Sequence, residues 1–146
     1  MPTFESLVAG AEATLDTTVS ARHVELFAEA TGDRNPVHLD EEVAARSQFG
    51  GRIAHGMLTA GFVSAAIASK LPGPGSIYLS QTLRFTRPVR IGDTITVTLV
   101  VVEVIADKRR VRIATTCTNQ NGEKVLDGEA TVMVPGERAP PGRLTM

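Results

Sequence analysis

The sequence predicts an α+β fold: an antiparallel sheet packed against one apolar helix. Two observations carry this. From Ser76 onward, "SIYLSQTLRFTRPV", "DTITVTLVVVEVIAD", "RRVRIATTCTNQ" and "EKVLDGEATVMV" are β-branched runs that alternate in places, broken by "RIGD", "DKR" and "NQNGE". Just before them, "GMLTAGFVSAAIASKL" is apolar nearly all round, which marks a buried helix. Strands in sequence beside a segregated helix make an α+β layer arrangement.

The elements follow in order. "TLDTTVSA" alternates and is rich in Thr and Val, so a first strand is expected over Ala13 to Val19. Ser20 is a good N-cap for a helix through "ARHVELFAEAT", where Val24, Phe27 and Ala28 recur at three and four. Gly32 ends that helix. Asp40 can cap a short helix, "EEVAARS", with Glu41 and Glu42 suiting the positive end of its dipole. "FGGRIAHG" is a Gly-rich loop, and the central helix runs from Met57 to Leu71. The "PGPG" run at Pro72 to Gly75 stops it. The four strands that follow have short breaks and are expected to form an antiparallel meander. "PGERAPPGRLTM", from 135 to 146, is a polar Pro-rich tail expected to be loose. No repeat or linker interrupts the chain, so residues 1–146 form a single domain in this reading.

Composition narrows the function classes. The chain has 146 residues, 42% hydrophobic and 21% charged, an ordinary globular mix. A net charge of -1 gives no general attraction to nucleic acid or to an anionic membrane. Cys117 is the single cysteine, so no intrachain disulfide and no Cys-based metal site is available within one chain. It falls in a strand-like run and is expected to pack. The N-terminus lacks the pattern of a secretory signal, and the longest apolar stretch is too mixed for a membrane span. A cytoplasmic protein is expected.

The chemistry concentrates in "TGDRNPVHLDEE", Thr31 to Glu42. Asp33 and His38 are five apart, and Gly32 and Pro36 argue against helix between them, so both side chains can point into one pocket from a loop. A carboxylate beside an imidazole is a minimal acid/base pair and needs no metal. The plainer alternative is a turn aspartate and a hydrogen-bonded loop histidine.

The wider pattern bears on that choice. "GDRNPVHLDEEVA" followed by "GGRIAHGMLTAGFVS" resembles the hydratase motif of the MaoC-like family, which includes the (R)-specific enoyl-CoA hydratases. The matching positions are Gly32, Asp33, Asn35, Pro36, His38 and Ala44, then His55, Gly56, Met57 and Ser64. "LRFTRPVRIGDTITV" is also similar to the family's segment after the central helix, and the close part of the resemblance runs from Val24 to Val97. The resemblance implies the hot-dog fold, a curved antiparallel sheet wrapped around a central helix. It implies reversible hydration of a trans-2-enoyl thioester to an (R)-3-hydroxyacyl thioester, without a cofactor. Asp33 and His38 would hold the attacking water, with His38 favoured as base and Asp33 as acid. Gly56, at the start of the central helix, would offer a free backbone N–H to the thioester oxygen. Ser64 matches a serine placed to orient Asp33, and Asn35 braces the loop. His55 is read as a packing or capping residue without proton transfer. Arg84 and Arg87, with Arg90, are expected either to meet the phosphates of coenzyme A or of an acyl carrier, or to be a solvated strand face.

Two rival functions are distinguishable in the residues. Several hot-dog thioesterases carry a carboxylate on the central helix, and the helix here has no Asp or Glu. A non-catalytic acyl-thioester-binding subunit would be expected to lack Asp33 or His38, and both are present. Exposed edges on strands of this length favour a homodimer, with the acyl site near the interface.

Overall fold

The computed structural model describes residues 3–136; the tail expected to be loose lies outside them from residue 137. The element order is β1 (Glu12–Thr18), α1 (Ala21–Thr31), α2 (Pro36–Leu39), α3 (Glu41–Ala45), α4 (Gly56–Ser69), β2 (Ile77–Gln81), β3 (Arg84–Phe85), β4 (Thr94–Ile105), β5 (Arg110–Thr118) and β6 (Lys124–Met133). The expected elements are all present, with boundaries within two residues for β1, α1 and the central helix α4.

Two expectations about the sheet need correction. The single strand expected over "SIYLSQTLRFTRPV" is two, β2 and β3. A register shift falls between Tyr78 and Ser80, and the chain then crosses close over Gly128. A Cβ at Gly128 would sit 1.8 Å from the Thr82 carbonyl oxygen, so only a glycine admits that crossing. The meander is also shorter than expected. The sheet order is β1-β4-β5-β6-β2, with β3 also on β6, so only β4, β5 and β6 form a meander. β4 already pairs antiparallel with β1 on one side and β5 on the other. β2 and β3 therefore join the far side of the sheet, beside β6.

Period-two alternation sets one face of the sheet inward. Ile95, Val97, Leu99 and Val101 of β4 are buried, as are Val111, Ile113, Thr115 and Cys117 of β5. The apolar ones share one core with Val63, Ala66 and Ile67 of α4. Cys117 is fully buried, and burial pushes its thiol up to about 12, so it packs and does not react, as expected.

α4 is not buried all round. Gly61, Ser64, Ala65 and Ala68 are exposed, and Met57 is 54% exposed. Apolar character on every face says only that every face tolerates burial. One sheet has one inner face, and it covers one side of the helix.

Candidate active site

The loop after α1 is pinned by its own side chains. Gly32 ends α1 in the left-handed region at φ 83, and its N–H bonds Ala28 O at 2.8 Å. Thr31 Oγ1 accepts from Asp33 N at 3.1 Å, and Asp33 Oδ1 accepts from Asn35 N at 3.2 Å. Asn35 Oδ1 then accepts from Val37 N at 3.3 Å and caps α2. Each bond satisfies a backbone N–H that lacks a helical partner. Asn35 braces the loop as expected. Pro36 does not break helix here; it begins one. At the first helical position its missing N–H costs nothing and its fixed φ suits the turn. His38 therefore projects from a one-turn helix, and Asp33 from the loop before it.

His38 is 9% exposed. Its Nδ1 lies 2.8 Å from the Ile53 carbonyl oxygen. A carbonyl can only accept, so Nδ1 carries the hydrogen and Nε2 keeps its lone pair. That is the state a general base requires. Burial, the largest influence, holds His38 below its ordinary 6.5; the bond to Ile53 opposes it, His55 adds to it, and Asp33 opposes it.

His55, 2% exposed, precedes α4 as its N-cap residue but makes no side-chain capping bond. Its Nε2 lies 3.0 Å from the Asp33 carbonyl oxygen, and its ring stacks on His38 with centroids 3.9 Å apart. Packing is as expected; the bond to the Asp33 backbone is not visible in the sequence. One donor atom each from Asp33, His38 and His55 lie within 4.8 Å of one another. Proximity alone would allow a metal there. Each imidazole is held at one nitrogen by a backbone carbonyl, and a carboxylate beside an oriented imidazole is also the arrangement of an acid/base pair.

These groups line a cleft of about 470 Å³, with Gly56, Thr59, Phe85 and Arg87 among its other walls. The Gly56 N–H makes no hydrogen bond among the described residues and stands at the first position of α4, where the helix dipole is positive. A Cβ there would meet the Phe85 ring at 2.8 Å, so a larger residue would require that half-exposed ring to move. Thr59, one turn on, is buried with its Oγ1 unpartnered. Phe85 and Thr59 both fall inside the motif segments, but neither residue type points by itself to a place in the site.

The remaining expected residues divide. Arg87 lines the cleft and pairs with Glu123 at 3.2 Å. Arg84 is exposed on β3, outside the lining. Ser64 stands two turns beyond Gly56 on the exposed face of α4, outside the cleft lining, and its side chain makes no hydrogen bond among the described residues, to Asp33 or to any other group.

The same arrangement of motif and fold recurs in known proteins. A model of the MaoC like domain matches residues 6–124. The chain belongs to the MaoC-like domain family. It is 54% identical over 132 residues to the 3-hydroxybutyryl-CoA dehydratase of Methylorubrum extorquens, covering 90% of this chain and 83% of that protein. It is 49% identical to the (R)-specific enoyl-CoA hydratase of Rhodospirillum rubrum, covering 90% and 91%. Among solved structures it is similar to an unliganded R-hydratase from Pseudomonas aeruginosa, with a TM-score of 0.88 and 49% identity over 99% of this chain and 96% of that one. The fold of this MaoC-like chain is the hot-dog fold, with α4 as its central helix.

Proposed function

We propose that this MaoC-like protein catalyses the reversible, (R)-specific hydration of trans-2-enoyl-CoA to (R)-3-hydroxyacyl-CoA, with Asp33 and His38 moving the protons. The observation that carries this is the convergence of three groups on one cleft. The Asp33 carboxylate and a His38 ring nitrogen lie within 4.8 Å, and Gly56, whose N–H makes no hydrogen bond among the described residues, lines the same cleft. A water bridges a carboxylate and an imidazole at that separation. His38 Nε2 takes a proton from the water as its oxygen bonds C3. The C2–C3 electron pair moves toward the thioester oxygen, where the Gly56 N–H and the start of α4 stabilise the charge. The imidazolium passes that proton to the Asp33 carboxylate, which delivers it to C2, so the pair ends in its starting state. The relatives' names supply the R configuration and the CoA thioester. Arg87 is the better placed of the two arginines to meet the phosphates of coenzyme A or an acyl carrier; Arg84 adds charge outside the cleft.

The partner is a second copy of the chain. The exposed small-residue face of α4 and the open edge strand β2, with Ile77, Tyr78 and Leu79 each more than a third exposed, support a homodimer. No helix among the described residues is long and apolar enough to cross a membrane. A buried reduced cysteine suits a cytoplasmic location.

The test is incubation with crotonyl-CoA and longer trans-2-enoyl-CoAs. Loss of the conjugated thioester absorbance with the (R)-alcohol as product is expected. Release of free CoA without hydration would instead indicate a thioesterase. Asp33→Asn and His38→Ala should each lower kcat by roughly 10²–10⁴-fold, the usual contribution of a proton-transfer group, while leaving the fold intact. Full activity in both variants would remove the pair from the mechanism.

A further inference from the structure

His55 touches each part of the proposed machinery. It is 2% exposed, although it sits at a helix start where most residues face solvent. Its ring lies between Phe27 of α1, at 4.7 Å and tilted by 50°, and His38 of α2, at 3.9 Å and 29°. Its Nε2 bonds the Asp33 carbonyl oxygen at 3.0 Å. Its own backbone leads directly into Gly56. One side chain therefore contacts the residue carrying the acid, packs flat on the base, and belongs to the residue before the oxyanion donor.

We propose that His55 is a positioning residue for hydration: its Nε2–H holds the Asp33 backbone at a set distance from His38, and its ring fixes the plane of the His38 imidazole. This rests on the function proposed above. Asp33 is exposed, and among the described residues its side chain is held only by the local bond from Asn35 N. The bond from His55 is the long-range tie of that residue, reaching across 22 positions of the chain to the start of the central helix. Without it, the carboxylate is free to drift with its loop, and a displacement of about 1 Å in a reacting group costs on the order of 100-fold in rate.

The hydrogen-bond partners also set the two ring states. A carbonyl oxygen accepts at His38 Nδ1 and another at His55 Nε2. The stacked pair therefore holds opposite tautomers. His55 Nδ1 is buried with no partner, and a hydrogen placed there would be an N–H without an acceptor. His55 is thus fitted to hold position and unsuited to receive a proton, which separates it from His38, whose Nε2 remains available.

Two measurements test this. The chain has three histidines, so the imidazole ¹⁵N signals of the intact protein can be assigned by single substitution. At neutral pH the His38 ring should be the Nδ1–H tautomer and the His55 ring the Nε2–H tautomer. A charged or Nδ1–H His55 would overturn the proposal whatever the activity. The second measurement compares kcat and KM for crotonyl-CoA across His55→Gln, His55→Phe and His55→Leu. Gln keeps an N–H near the Nε2 position; Phe keeps the stacking surface without the donor; Leu keeps neither and serves as the donor-free arm if the Phe variant does not fold. Gln should retain most of kcat, and the donor-free variants should lose roughly 100-fold in kcat with KM nearly unchanged. Donor-free variants as active as Gln, or losses confined to KM, would overturn it. An inactive wild type would remove the hydratase reading itself, a result distinct from an active wild type indifferent to His55.

Discussion

At His38, burial and hydrogen bonding act in opposite directions, and burial is the larger. Its lowered pKa has consequences for stability and for activity. Well above pH 6.5 the ring is neutral both folded and unfolded, and the protein has its full stability with respect to this group. As pH falls below 6.5 the unfolded chain takes up a proton that the folded chain resists, so stability declines until the folded pKa is passed. Urea denaturation between pH 7.5 and 5 should show this loss, and His38→Gln should flatten part of it. The same ring as base puts the acid limb of kcat/KM below pH 6.5; an inflection above 6.5 would speak against His38 as the base. Asp33 and His38 were legible as a pair only through the motif around them, since their types and spacing alone also fit a turn aspartate and a loop histidine. The Ile53 carbonyl that sets the His38 tautomer was not, because it lies 15 positions away and backbone acceptors leave no trace in residue identity.

Among the elements, the shortest helix carries the most consequence. α2 has four residues, too few to persist alone, and is held by Asn35 as cap and Pro36 at its first position. Asn35→Ala should cost about 1 kcal/mol by urea denaturation at fixed protein concentration. It should also lower kcat, since His38 rides on that turn; an unchanged kcat would mean the turn is held by its other contacts. Reading Pro36 as a helix breaker was the natural inference from Gly32 and Asn35 around it, and the same residues also describe a cap and a first turn. α4 presents the complementary case. Its composition announced burial but not against what, because a helix with small and apolar residues on every side has no preferred face. The strands were recognised by alternation, while the β2–β3 break depends on a close crossing at Gly128 that only the paired sheet reveals.

For the whole molecule, the sheet has two edges, β1 and β2, and β2 carries the more apolar exposed surface. In the proposed homodimer this edge and the open face of α4 are covered by the second copy. Leu79→Asp, a charge at a position 42% exposed in the single chain, should shift the protein toward monomer in sedimentation equilibrium. A variant with unchanged mass would place the interface elsewhere. The exposed position of Ser64 belongs to the same question, since it stands on the face of α4 that such a partner would meet. Local and periodic information sufficed for the α+β class and the caps at Ser20 and Asp40, and the family motif marked Asp33 and His38 as neighbours at one site. These depend on residues within a few positions of one another, where side-chain type dictates backbone geometry. Tertiary structure alone decided that β2 and β3 pair with β6, that α4 keeps one face open, and that His55 ties Asp33 to the start of α4. Each depends on segments far apart in the chain, whose residue types do not name their partners.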